Sequence, residues 1–116
     1  GSTGYLFRQP MVRDREGREF LLDERLGDGF AIVARTAADL EVNAQSRELI
    51  ERLGMVTMTL EGLEACQGRF DPLFESAAAA VVRPDRYVFG HVMETATDAL
   101  SLDGLLDALR VKLSLA

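Results

Sequence analysis

Apolar and polar positions divide the chain into a short series of elements. Phe30–Ala34 is a run of five apolar residues without alternation, the pattern of a strand covered on both faces. In "MVTMTLEG", Val56, Met58 and Leu60 share one face and Thr57 and Thr59 the other, which predicts a second strand. Between them Leu49, Ile50 and Leu53 repeat at helical spacing, and Gly54 stands where a C-terminal glycine stop belongs. That helix begins somewhere between Ala38 and Ser46. Asp71 as N-cap and Pro72 as first helical residue predict a short helix to about Ser76. Ala79–Arg83 and Tyr87–Gly90 are two further strands, close enough to form a hairpin. Ser101 caps a last helix in which Leu102, Leu105, Leu106, Leu109 and Leu113 form one stripe. Asp103 in its first turn and Lys112 in its last suit the helix dipole, and Gly104 weakens it by about 1 kcal/mol relative to alanine. The segment from Gly4 to Glu24 has few periodic apolar residues. "DREG" (14–17) reads as a turn, "FLLDERLG" (20–27) as a short strand or helical turn ending at Gly27, and Gly27-Asp28-Gly29 as a loop.

The order is therefore strand, helix, strand, short helix, strand, strand, helix. A helix joins the first two strands, so they are expected to be parallel with a right-handed crossover. The last two are expected to be antiparallel. This is the layout of a thioredoxin-like three-layer α/β fold, a mixed sheet of about four or five strands with helices on both faces. Residues 1–116 then make a single domain, with 47 % hydrophobic residues to fill its core. Gly1 and Ser2 are read as a cloning scar. No apolar run approaches the roughly 18 residues of a membrane helix, and no charged-then-apolar leader is visible, so a cytoplasmic protein without membrane contact is expected.

Charge narrows the partners. The net charge is −6, which argues against nucleic acid, whose phosphates select clustered Lys and Arg. Arg13, Arg15 and Arg18 do cluster, but Asp14 and Glu16 are interleaved, as in a solvated loop of mixed charge. Cys66 is the only cysteine and His91 the only histidine. No disulfide within the chain and no Cys-x-x-Cys pair can exist, and Cys and His supply at most two of the three or four ligands a zinc site takes.

Candidate chemistry is thin. The redox position of a thioredoxin, at the start of the first helix, corresponds here to Thr36-Ala37-Ala38-Asp39, which has no sulfur and an aspartate that disfavours a thiolate. Cys66, in "GLEACQGRF", is expected in a loop or at a helix edge, as a packing residue. His91 has no second histidine or acidic-serine pattern around it and reads as a surface residue. Asp23, Glu24 and Asp28 read as loop and cap residues, since nothing places one in an apolar pocket and another in water. Met55, Met58 and Met93 read as core fillers. No catalytic, cofactor-binding or metal residue is assigned.

Arg83-Pro84-Asp85-Arg86 could be an anion site or a turn. Pro84 suits position i+1 of a type I turn and Asp85 position i+2. Proline cannot occupy the type I′ turn of a two-residue hairpin. The remaining common solution is a type I turn followed by a left-handed bulge residue, so Arg86 is expected to have positive φ and the charges to form an exposed tip.

"GYLFRQP" (4–10), "LLDERLGDGFAIVAR" (21–35) and "VVRPDRYVFG" (81–90) together resemble the C-terminal domain of flavin-dependent aromatic hydroxylases. The 3-(3-hydroxyphenyl)propionate hydroxylase type is the nearer resemblance and phenol hydroxylase the more distant. The resemblance implies a thioredoxin-like fold without redox chemistry and no cofactor in this domain. It also implies an N-terminal portion of the same polypeptide that binds FAD, uses NAD(P)H and holds a phenolic substrate. This segment has no Gly-x-Gly-x-x-Gly, and Gly27-Asp28-Gly29 precedes a strand where the phosphate-binding turn must follow one. The function expected is a non-catalytic structural or interaction domain that supports the FAD portion or the subunit contacts of a homodimer. Two other readings stay open: a free-standing thioredoxin-like binding module, and a one-cysteine thiol peroxidase using Cys66.

Overall fold

The computed structural model describes residues 6–93 and 101–115. Strands β1 (Met11–Arg13), β2 (Glu19–Leu21) and β3 (Ala31–Ala34) precede helix α1 (Ala44–Leu53). Strands β4 (Val56–Thr59), β5 (Glu64–Gln67), β6 (Ala77–Val82) and β7 (Val88–Met93) follow, then helix α2 (Leu102–Lys112). Three 3-10 helices, Leu22–Arg25, Ala37–Leu40 and Pro72–Glu75, fill connections.

The main sheet has the order β4-β3-β6-β7. β3 pairs with β4 in parallel, Ala31 opposite Val56, and β6 is antiparallel to both β3 and β7. These directions are the ones expected, and they are compatible with a thioredoxin-like fold. Every residue of β3 and β6 is buried, as the unbroken apolar run required. Alternation along each strand then divides the core in two. Ile32, Ala34, Ala79 and Val81 point to one face, where Leu49 of α1 and Leu102, Leu106 and Leu109 of α2 cover them. Ala31, Val33, Ala80 and Val82 point to the other, against Phe7, Val12, Leu22, Leu26, Leu73 and Phe74. Burying each such leucine or valine contributes about 1.5–3 kcal/mol, so the paired layers carry much of the stability.

Both faces are covered, with a difference in kind. The two α-helices share one face. The opposite face is covered by 3-10 helices and by a second, three-stranded antiparallel sheet of order β2-β1-β5. β1, β2 and β5 are not legible as strands in the sequence, because they are three or four residues long and too short to show a period. Val12 alone anchors β1 to the core. The DREG turn joins β1 to β2, and residues 20–27 run through β2 and a 3-10 helix to Gly27, at φ 70°.

Local signals set the helix ends. Asn43 caps α1 by accepting from the Ser46 N–H at 2.8 Å, which fixes the start the sequence left open. Gly54 ends it in the left-handed region at φ 62°. Asp71 caps the 3-10 helix that follows it and Ser101 caps α2. The leucine stripe stops at Leu109: Leu113 lies at the C-cap, 38 % exposed, beyond the end of the helix. Gly90 matters for packing, since a Cβ there would stand 2.5 Å from the Leu105 Cδ1, so its absence lets α2 sit close on β7. Met55 is buried beneath α1, Met58 packs on the opposite core and Met93 is half-buried at the end of β7.

Candidate functional site

The β6–β7 connection is a four-residue turn, Arg83–Arg86, with a left-handed residue at its end and a register shift in the adjoining ladder. The Arg86 N–H donates to the Arg83 carbonyl at 2.8 Å, the Arg83 N–H donates to the Tyr87 carbonyl at 2.8 Å, and Arg86 has φ 69°. Arg83 and Asp85 are exposed at the tip and pair with each other at 2.6 Å. Arg86 corrects the expectation of a wholly exposed tip. Its side chain is only 18 % exposed; Nε donates to Asp23 at 2.5 Å and Nη2 to the Gly27 carbonyl. A left-handed residue projects its side chain differently from its neighbours in the strand, and here that direction carries the guanidinium back over residues 23–27. Arg83 pairs within the turn and Arg86 pairs outside it, so the two do not form an anion site.

The carboxylates read as loop and cap residues hold those roles. Asp23 receives Arg86. Glu24 accepts from the Leu21 N–H at 2.8 Å, and Asp28 is exposed in its loop.

Thr36–Asp39, expected at the start of the first helix, instead precede it, since α1 begins at Ala44 behind its Asn43 cap. Residues 37–40 form a 3-10 helix after β3, and Asp39 accepts from the Thr36 N–H at 3.2 Å and from the Thr36 hydroxyl at 2.8 Å. Glu61, from the turn after β4, accepts from the Ala37 N–H at 2.6 Å. The Thr36 and Ala37 amides are thus taken by two carboxylates. Asp39 fits a capping pattern visible in sequence, whereas Glu61 arrives through the parallel pairing of β3 with β4.

Cys66 lies in β5, which corrects its expected place in a loop or at a helix edge. It is half-buried, and its Sγ–H donates to the Met11 carbonyl at 3.5 Å. The nearby Arg13 is engaged by Glu19 at 3.1 Å and Glu64 at 3.4 Å. Its hydrogen bond with Glu19, ahead of the other charges around it, holds the guanidinium above its ordinary pKa. Arg18 pairs with Asp14 and Glu16, as a mixed-charge loop requires. His91 is half-buried on β7 opposite Ala80 and its Nδ1 is enclosed without a partner, so the expectation of a surface histidine is corrected. Among the described residues no three His, Cys, Asp or Glu side chains gather as a metal site would require. No helix among them is long and apolar enough to cross a membrane.

A cavity of about 260 Å³ opens between the first turns of α1 and α2. Asp103 is its central group. The sequence assigns that carboxylate to the dipole of its own helix, but it also accepts from the Asn43 N–H at 3.0 Å and the Ser46 hydroxyl at 2.6 Å. It thereby supplies α1 with the acidic group that the first turn of α1 lacks.

Comparison with known proteins places this geometry. The profile of one family, described as the HcaD C-terminal domain, matches residues 4–108. The chain belongs to that family. Solved structures similar to this HcaD C-terminal domain include a ternary complex of aklavinone-11 hydroxylase with FAD and aklavinone (22 % identity, TM-score 0.56), covering 92 % of this chain and 20 % of that one. Another is OxyS, an anhydrotetracycline hydroxylase from Streptomyces rimosus (20 % identity, TM-score 0.61), covering 94 % and 20 %. A third is BexE, studied for oxidation during BE-7585A biosynthesis (22 % identity, TM-score 0.52), covering 91 % and 19 %. At these identities the likeness speaks for the fold. The chain spans about a fifth of the length of these relatives. No curated protein matches it. The resemblance to C-terminal domains of flavin-dependent hydroxylases, drawn from three sequence blocks, is borne out.

Proposed function

We propose that this chain is the non-catalytic C-terminal domain of an FAD- and NAD(P)H-dependent aromatic hydroxylase, where it supports the packing of the flavin portion or subunit contacts. The observation that carries this reading is the family match over residues 4–108 to a C-terminal domain, alongside hydroxylases of which the chain covers only a fifth. The site geometry supports it. Asp39 and Glu61 occupy the Thr36 and Ala37 amides after β3, no cysteine stands there, and the Cys66 thiol donates to a backbone carbonyl. In this reading the preceding portion of the polypeptide binds FAD, receives hydride from NAD(P)H and hydroxylates a phenolic substrate with O₂. The setting is cytoplasmic breakdown of aromatic compounds.

The test is the native polypeptide. It should be several-fold longer than this segment, encode Gly-x-Gly-x-x-Gly upstream and purify yellow with bound flavin, while the 116-residue segment purifies colourless. A native polypeptide that consists of this segment alone overturns the proposal.

A further inference from the structure

A groove of about 380 Å³ runs between chain segments 6–10 and 67–69, beside the three-stranded sheet. Three features of it are unusual for a finished surface. Leu6 is 57 % exposed although its backbone is held by a bridge to Tyr87, itself 41 % exposed, and although the next residue donates its N–H to the Arg86 carbonyl at 2.7 Å. An apolar side chain is thus presented to solvent on a fixed backbone. The Gln9 side chain donates to the Phe7 carbonyl at 3.4 Å, while its Oε1 is enclosed without a hydrogen-bond partner. Arg8 and Arg69 are exposed along the groove and form no ion pair with another described residue, in a chain whose net charge is −6.

We infer that this groove is the docking site for the flavin-binding portion that precedes the domain in the same polypeptide, an inference that rests on the function proposed above. The matched family is a C-terminal domain and the similar structures are about five times as long, so their remaining chain lies upstream. That chain arrives at residue 6, which is a wall of the groove. A partner tethered there is at an effective concentration in the millimolar range, so modest contacts suffice. Its contacting surface carries an apolar side chain for Leu6 and a carboxylate for Arg8 and Arg69, the exposed side chains of the groove. Covering the groove removes Leu6 from water and gives Arg8 and Arg69 a counter-charge.

Hydrogen exchange read by mass spectrometry on the flavin-loaded, full-length protein tests this. Wild type is compared with Leu6→Asp and, as a surface change that spares the apolar contact, Arg69→Glu. Peptides covering 6–10 and 67–69 should exchange about tenfold faster in both variants than in wild type, while α1 peptides and flavin content stay unchanged. Equal groove exchange in wild type and Arg69→Glu, with flavin bound, overturns the docking site and leaves the proposed function standing. Groove protection in wild type that rises with protein concentration shows a second copy in the groove and likewise overturns it. A native polypeptide without a flavin portion removes the function itself, a result read from its length and colour and not from exchange.

Discussion

Arg86 holds Asp23: its Nε lies 2.5 Å from the Asp23 carboxylate across 63 residues of chain, and Nη2 donates to the carbonyl of Gly27. The β6–β7 turn is thereby fastened to the segment that leads into β3. The arginine occupies a left-handed position that ordinarily favours glycine, so its side-chain bonds offset a backbone cost. Replacing it separates the two effects. Arg86→Ala should lose about 1–3 kcal/mol of stability, since it keeps the strain and drops the hydrogen bonds. Arg86→Gly should lose about 0.4–1 kcal/mol less than the alanine variant, because glycine adopts positive φ freely. Urea unfolding ranks the three proteins, and an alanine variant as stable as wild type would show that the fastening contributes nothing.

Gly90 and Leu105 form a tight layer contact. Gly90→Ala places its Cβ 2.5 Å from the present position of Leu105 Cδ1. Leu105 must then change rotamer or α2 must lift, at a cost of about 1–3 kcal/mol. The cost should fall in a Leu105→Ala background, and a double-mutant cycle measures the coupling. Strictly additive losses would place the strain elsewhere.

Asp103 joins the two helix N-termini. Asp103→Ala strands the hydroxyl of Ser46, buried at 6 % exposure, and leaves the exposed Asn43 N–H to water. A loss of about 1–3 kcal/mol is expected. Ser46→Ala added to that variant should recover part of it, because the stranded hydroxyl is gone. Thermal melting of the single and double variants checks the order.

The DREG turn should respond to acid. The N–H of Arg18, opposed by burial and helped by the N–H of Glu16, holds the Asp14 carboxyl below its ordinary pKa. A carboxyl whose folded pKa is depressed stabilises the turn above its unfolded pKa, about 3.9. That contribution is lost as pH falls from there through the folded value. Amide shifts of Glu16 and Arg18 in NMR should therefore stay constant from neutral pH to about 5 and move only below it. Movement near pH 6 would assign the turn to another group.

If the proposed function holds, Cys66→Ser in the full-length protein should leave its hydroxylation unchanged, and half-buried Cys66 should react with peroxide as slowly as an ordinary thiol. Fast peroxide consumption abolished by Cys66→Ser would restore a thiol-enzyme reading.

Much of the main sheet was legible because its signals are local and unambiguous. The five-residue apolar run has the pattern of a doubly covered strand, and Asp71-Pro72, Gly54 and Ser101 mark ends by capping chemistry that needs no tertiary partner. Pro84 excluded one hairpin turn, and the left-handed Arg86 followed from that exclusion. The small sheet was not legible. β5 pairs with a segment far away in sequence, Ala65 with Val12 for example, and each of the three strands carries too few residues to show alternation. Cys66 was misplaced for the same reason.

By itself the sequence determined the main-sheet elements, their order and the absence of a cysteine pair, since these follow from apolar period, caps and composition. Three family-like blocks pointed from there to a hydroxylase C-terminal domain. Only the tertiary structure decided where long side chains end. Glu61 closes the Ala37 amide, Asp103 serves a helix other than its own, and Arg86 leaves the turn tip for Asp23. Each contact joins residues 24, 60 or 63 positions apart. A hydrogen bond of that span depends on the direction in which a backbone projects a side chain, and that direction exists only once the layers have packed.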